Sequence, residues 1–419
     1  MIRAGIHSLL LASVERFPPP EFTTHVLPGT ATPTPRAAWL EYADTAVLLL
    51  TLGLAAWLIH RKRSRRGVFW LTLFCLGYFG FYRQGCICPV GSLQNVAQAV
   101  TDASYALPIT VAAFFFLPLI FALFFGRVFC AAVCPLGAIQ DVVVYKPIRL
   151  PHWLRAGLGA IPVLFLGVAV LFATTGAGFL VCQFDPFVGF FRRSGAPAML
   201  MLGGALLVLG LFVARPYCRF VCPYSVLLNF LSRPAKWRVS VTPDECIRCR
   251  LCEQACPFDA IRPPALPVSA ADRPAGKRRL ALLLLLAPAL VAGGGLAGRR
   301  TGGLLAARHE AVQLADQLER ETRLPAAQLS DEVEAFRKTG LPESFAHEEA
   351  EAVLSEYRTG GSFLGGYFGL VTALTLIGMS VRRHRDGYDP DPGECLACGR
   401  CWRTCPRDRK MRQSASSGA

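Results

Sequence analysis

The sequence predicts a mainly α fold: a polytopic transmembrane helical bundle of about 7 spans with a small cytoplasmic α+β module. Three observations predict it. Hydrophobic residues make up 53% of the 419-residue chain and charged residues only 17%, where a soluble domain carries about 25% charged residues. The apolar residues gather into seven long runs. Sixteen cysteines are present, and twelve of them fall into four motifs ending Cys-Pro. That regularity belongs to metal ligation, not to the disulfide scaffold of a small secreted chain.

The runs are residues 40–60, 67–83, 107–126, 153–175, 197–214, 280–297 and 362–381. Crossing a hydrocarbon core of ~30 Å takes about 20 helical residues, so the second and fifth are short. Each run must be helical, because a lipid-exposed strand would leave backbone groups unpaired. Orientation follows from the basic clusters. Arg61, Lys62, Arg63, Arg65 and Arg66 follow the first run; Lys277, Arg278 and Arg279 precede the sixth; Arg382, Arg383 and Arg385 follow the seventh. An outer N-terminus places all three clusters in the cytoplasm. The same path leaves Arg192, Arg193, Arg299 and Arg300 outside. The expected localisation is the inner (cytoplasmic) membrane, with lipid as the first partner.

The net charge of +15 and a mean hydropathy of +0.39 fit this reading. They exclude intrinsic disorder for most of the chain. A nucleic-acid binder would carry its basic residues on a polar domain, so nucleic acid is not an expected partner. The opening MIRAGIHSLLLAS has no clear cleavage site before Phe17 and predicts a short anchoring helix. The expected organisation is an outer segment 1–37, a membrane domain 38–235, a half-module 236–276, a helix 277–299, an acidic outer helical segment 300–361, a helix 362–385 and a second half-module 386–419.

Cys246, Cys249, Cys252 and Cys256 form C-x2-C-x2-C-x3-C-P, and Cys395, Cys398, Cys401 and Cys405 repeat it. This is the spacing of bacterial [4Fe–4S] ferredoxins, in which the fourth cysteine serves the other cluster. Zinc knuckles instead show two C-x2-C pairs. The α+β module is therefore expected to be ferredoxin-like and to hold two 4Fe-4S clusters. One would use Cys246, Cys249, Cys252 and Cys405; the other would use Cys395, Cys398, Cys401 and Cys256.

A second repeat lies upstream. Gly126-Arg127-Val-Phe-Cys130 leads to Cys134-Pro135, and Ala214-Arg215-Pro-Tyr-Cys218 leads to Cys222-Pro223, 88 residues later. The i, i+4 spacing places both sulfurs of a pair on one helical face. The four thiolates make an expected inner metal site: a cluster, Cu(I), or thiol-redox chemistry. Cys86 and Cys88, ahead of Pro89, correspond to Cys182 and Asp185, ahead of Pro186. These four are the candidate outer site, a bilayer away, with a Cys86–Cys182 disulfide as the alternative in an oxidising space. One or two clusters beyond the ferredoxin pair are thus expected. Cys75 reads as a buried apolar thiol.

The set GRVFCAAVCPLGAIQD, RPYCRFVCP and the two C-x2-C-x2-C-x3-C-P runs resembles the NapH/NosR-type membrane polyferredoxins over residues 67–260 and 390–406. The resemblance implies electron transfer between a quinol or cytoplasmic donor and an extracytoplasmic reductase, flavoprotein or cytochrome, within a complex. No flavin-attachment motif is seen, so a flavin would come from a partner. The pattern also resembles the CcoG/RdxA group, which implies copper handling or metalloenzyme assembly. None of the seven histidines sits mid-span with a facing partner and no C-x-x-C-H occurs, so no haem is expected. No acid–base pair or nucleophile stands out, so no catalytic residues are named. The glycines at 293–295 are expected to serve close helix packing.

Overall fold

The computed structural model describes residues 37–85, 88–175, 178–241, 246–265, 273–321, 330–381 and 384–407. The expected anchoring helix, Cys86, and Arg382 and Arg383 lie outside these residues. Among the described residues nearly all regular structure is helical, with one pair of two-residue strands. Among the described residues, four helices are long and apolar enough to cross a membrane: Trp39–His60, Trp153–Thr174, Arg273–Ala306 and Glu343–Ser380. The other three expected spans are shorter. Ile109–Phe125 has 17 residues and Pro197–Gly210 has 14. The run over 67–83 starts as the helix Arg65–Cys75 and widens into π-helical turns at Leu76–Tyr82. Large apolar side chains such as Leu50, Ile109, Met201, Leu285 and Phe363 stand exposed on these helices, as a lipid-facing surface requires.

The chain divides into two compact units, and the division falls inside the two longest helices. The larger unit holds 37–291 and 367–419. Its core contains the apolar faces of Ala38–His60 and Arg65–Cys75, and into that core fold Cys130, Cys218 and Cys222. A buried carboxylate in the first helix, Asp44, is matched by Arg83 at 2.9 Å and by the Tyr78 hydroxyl at 2.7 Å. An unmatched charge there would be costly.

Short helices begin where Cys-Pro occurs. Pro89–Thr101 follows Cys88, Pro135–Val143 follows Cys134, and Tyr224–Ser232 follows Cys222-Pro223. Proline is favoured in a first turn because its missing N–H would be unpaired there anyway. Pro89–Thr101 and Tyr224–Ser232 pack among Ile109–Phe125 and Ala160–Thr174, and Pro135–Val143 packs against Arg65–Cys75, Leu76–Tyr82 and Pro197–Gly210. Far along the chain, Ile261–Arg262 pairs antiparallel with Asp389–Pro390, Ile261 facing Pro390, and Ala265 bridges Arg385. The two downstream Cys-rich segments are thereby joined in space.

The smaller unit holds, among the described residues, 292–321 and 330–366. Here two helices meet backbone to backbone. A Cβ on Gly298 would overlap the Gly361 carbonyl, one on Gly302 the Tyr357 carbonyl, and one on Gly365 the Gly294 carbonyl. Beside them Leu314, Leu318, Val333, Phe336 and Ala346 form a small core. The helices over 310–321 and 331–338 are strongly amphipathic.

Candidate metal centres

The downstream motifs share one local design. Each begins in a loop with two left-handed residues flanking the second cysteine, Arg248 and Arg250 in one, Ala397 and Gly399 in the other. Each continues into a one-turn helix, Leu251–Ala255 or Arg400–Thr404, that carries the third cysteine. Left-handed turns of this kind let a loop curl its backbone around one point. Gly399 is doubly required, because its φ is +77° and a Cβ would strike the buried Trp402 ring.

Cys246, Cys249, Cys252 and Cys405 line one small cavity, together with Arg248, Arg250 and Tyr388. Burial pushes the Cys252 thiol up to about 11, and Cys246, Cys249 and Cys405 reinforce the shift. Burial likewise raises Cys401, reinforced by Cys395, Cys398 and Cys256. The eight sulfurs thus fall into two groups of four, each holding one cysteine from the opposite segment.

Cys130, Cys134, Cys218 and Cys222 also converge. Their turns are wider than an α-helical i, i+4 spacing implies. Cys134 N donates to Phe129 O at 3.0 Å and Cys222 N to Tyr217 O at 2.9 Å, each a five-residue, π-type closure, which is common at functional sites. Burial raises Cys134 and Cys222, and takes Cys218 to about 12. The neighbouring thiols Cys130 and Cys218 reinforce the shift at Cys134 and Cys222. Thiols this buried stay protonated unless a bound cation takes the proton's place. Two flanking helices, Pro135–Val143 and Tyr224–Ser232, present their N-terminal dipoles next to Cys134 and Cys222, where negative charge is stabilised.

Between this quartet and the downstream segment stand two buried arginines. Arg127 donates to Gly393 O at 3.0 Å and lies 3.8 Å from Cys130 Sγ. Arg215, fully buried and at a left-handed φ of 51°, donates to the carbonyls of Cys130 and Ala131 and stacks over Phe258. Its charge is met by Asp141 at 3.6 Å. The same carboxylate receives Arg65 at 3.1 Å and Arg400 at 3.3 Å. Burial would raise Asp141, but Arg215, Arg65 and Arg400 outweigh it and hold the carboxyl at about 2. Gln140 completes the frame, accepting from Tyr217 N at 3.0 Å and donating to Cys218 Sγ at 3.3 Å. Both arginines occupy the same place in the upstream repeat, and Gln140-Asp141 ends its first copy. The repeat thus signalled them, but their partners are remote in sequence.

The expected outer residues are placed differently from the expectation. Burial pushes Cys88 up to about 12, with Asp185 and Cys182 reinforcing, and pushes Asp185 up to about 6. Cys182 rests against the helix that Cys88 begins: a Cβ on Gly91 would stand 3.4 Å from its Sγ. Yet Cys88 is also among the charges felt by Cys134 and Cys222. This set adjoins the quartet; it is not a bilayer's width away. The cause is that Pro89–Thr101 folds back into the core among Ile109–Phe125, Ala160–Thr174 and Tyr224–Ser232. Cys86, and with it the Cys86–Cys182 disulfide, lies outside the described residues. Cys75 is fully buried. Among the described residues no three His, Cys, Asp or Glu side chains close on a single ion.

Against both downstream segments lies an open cavity of about 790 Å³, lined by Arg65, Arg66, Arg400 and Arg403 with Phe69 and Trp70.

Comparison with known proteins points the same way as the residues. A 4Fe-4S binding domain family matches residues 107–160 and 195–241, and a second 4Fe-4S binding domain family matches 239–262. The chain is 24% identical to YccM of Escherichia coli, whose name refers to electron transport, over 40% of this chain and 52% of that protein. It is 31% identical to the ferredoxin-type protein NapH of Escherichia coli, over 40% of this chain and 59% of that protein. It is 29% identical to the regulatory protein NosR of Pseudomonas aeruginosa, over 52% of this chain and 33% of that protein. The chain therefore spans about half of YccM and a third of NosR. No solved structure matches it. These matches bear out the resemblance to NapH/NosR-type proteins.

Proposed function

We propose that this chain is a membrane-bound iron–sulfur electron-transfer protein, carrying electrons between a quinol or cytoplasmic donor and an extracytoplasmic reductase, flavoprotein or cytochrome. The observation that carries the reading is continuity. Within one compact unit, two groups of four cysteines abut a third through Arg127 and Arg215. Clusters bound to these thiolates would supply one-electron chemistry and nothing else. The donor sets suit that group: three soft thiolate quartets, the upstream one buried beside helix N-termini and guanidinium groups that favour net negative charge.

The chain's own residues hold and insulate. Arg127 and Arg215 place positive charge between the quartet and the downstream cysteines, Asp141 keeps that charge balanced, and the apolar core excludes water. In this reading the long apolar helices cross the inner membrane with the Cys-rich halves cytoplasmic, as the basic clusters favour. The cavity ringed by Arg65, Arg66, Arg400 and Arg403 then faces the cytoplasm, where an acidic carrier docks.

Anaerobic redox titration with EPR, and iron counted on the same sample, tests the reading. The ferredoxin pair and the quartet together predict about twelve irons. A folded, colourless, iron-free protein overturns it. Copper bound stoichiometrically by Cys130, Cys134, Cys218 and Cys222, with about eight irons retained, supports metal handling instead.

A further inference from the structure

We propose that Cys88, Cys182 and Asp185 form a second iron–sulfur ligand set, built on the template of Cys134, Cys218 and Cys222 in the first set, with a carboxylate in place of the Cys222 thiolate. The inference rests on the reading of the first set as a cluster site.

The template is visible in the chain. Cys88-Pro-Val-Gly91-Ser-Leu-Gln94-Asn95 matches Cys134-Pro-Leu-Gly137-Ala-Ile-Gln140-Asp141. In both, the proline opens a short helix. In both, the glutamine side chain then reaches across to the second half of its site. Gln140 accepts from the backbone N–H of Tyr217, the residue before Cys218; Gln94 accepts from the N–H of Val181, the residue before Cys182, at 2.9 Å. Both glycines face their site as well. Gly91 makes room for Cys182 Sγ, and Gly137 for the Arg215 guanidinium and the Cys130 carbonyl. Downstream, Cys218-x3-Cys222-Pro223 is answered by Cys182-x2-Asp185-Pro186. Asp185 therefore stands where the first set has Cys222. It is buried, 6% exposed, with one oxygen accepting from Phe187 N at 2.9 Å.

A second observation points to a ligand. Gln140 Nε2 donates to Cys218 Sγ and to Leu136 O. Its counterpart, Gln94 Nε2, is fully buried and meets no hydrogen-bond acceptor among the described residues. The Tyr217 hydroxyl, which feels the charges of Asp185, Cys222, Cys88 and Cys218 and so stands between the two sets, is in the same condition. Native interiors rarely leave such donors unmatched. Two buried donors beside two thiols and a carboxylate suit the inorganic sulfides of a cluster, which accept hydrogen bonds. The carboxylate also selects the class of metal. An oxygen donor favours iron over Cu(I), which prefers all-sulfur sites. The set adjoins Cys134 and Cys222, so it extends the same ladder.

The test uses the full chain purified without oxygen. The wild type is expected to hold three or four irons more than the roughly twelve of the other three quartets. Cys182→Ser and Asp185→Ala are expected to lose that increment and one EPR signal, with the remaining signals intact. Asp185→Cys is expected to keep the iron and shift that signal. Gln94→Leu is expected to keep the iron and move the midpoint of the same centre alone. A wild-type count near twelve, or Cys182→Ser and Asp185→Ala proteins with unchanged iron and spectra, overturns the proposal and leaves the first set standing. A count near eight overturns both.

Discussion

Asp141 decides more than any other single residue here. One carboxylate, nearly sealed from solvent, answers Arg65, Arg215 and Arg400, which come from three distant stretches of chain. Removing one partner of a buried ion pair costs about 3–5 kcal/mol because the other charge is stranded. Asp141→Asn is therefore expected to lower stability by that order, read by thermal unfolding in detergent. The sign of the pH effect follows from its depressed carboxyl, about 2 folded against an ordinary 3.8. Its contribution is present above about pH 4 and is lost as pH falls from there toward 2. Unfolding scans across that window should show the loss in the native chain and its absence in Asp141→Asn. None of this could be read from the chain. The repeat marked Arg127 and Arg215, but charge pairing is a property of the folded neighbourhood, and spacing along the sequence does not encode it.

Helices and turns were legible in kind but less so in detail. The glycine run at 293–295 was readable as a packing surface, because only small residues let helix backbones touch, and Gly294 does meet Gly365. Gly298→Leu should force the Arg273–Ala306 and Glu343–Ser380 helices apart where Gly361 faces Gly298. A loss of about 1–3 kcal/mol, the usual scale of overpacking, is expected in thermal unfolding, with iron content unchanged. The i, i+4 cysteine spacing suggested ordinary helical turns, whereas Cys134 and Cys222 close five residues back. Proline immediately after the cysteine ends one turn and begins the next helix, and the extra residue is absorbed at that junction. The same junction hid the position of Cys88. A run of apolar residues followed by Cys-Pro looks like a membrane exit, yet here the chain turns back inward.

At the scale of the molecule, mainly helical architecture followed from apolar content, and the metal chemistry followed from cysteine spacing. The arginine cavity did not, since Arg65 and Arg66 stand more than 300 residues before Arg400 and Arg403. Electrostatic steering accelerates docking by about 10- to 1,000-fold and weakens with salt. Arg66→Glu with Arg403→Glu should thus slow reduction by an acidic carrier at least tenfold at low ionic strength and flatten its salt dependence, with the iron count unchanged. Stopped-flow absorbance checks this; unchanged rates would remove the cavity from the electron path. The interleaving of the downstream cysteines has its own consequence, for biogenesis. Cys405 stands with Cys246, Cys249 and Cys252, and Cys256 with Cys395, Cys398 and Cys401. Neither centre can be completed on a growing polypeptide until the ribosome has delivered both membrane helices between them and the stretch through residue 405. A chain stopped at residue 386 should leave both downstream centres unfilled, although one entire motif has been made.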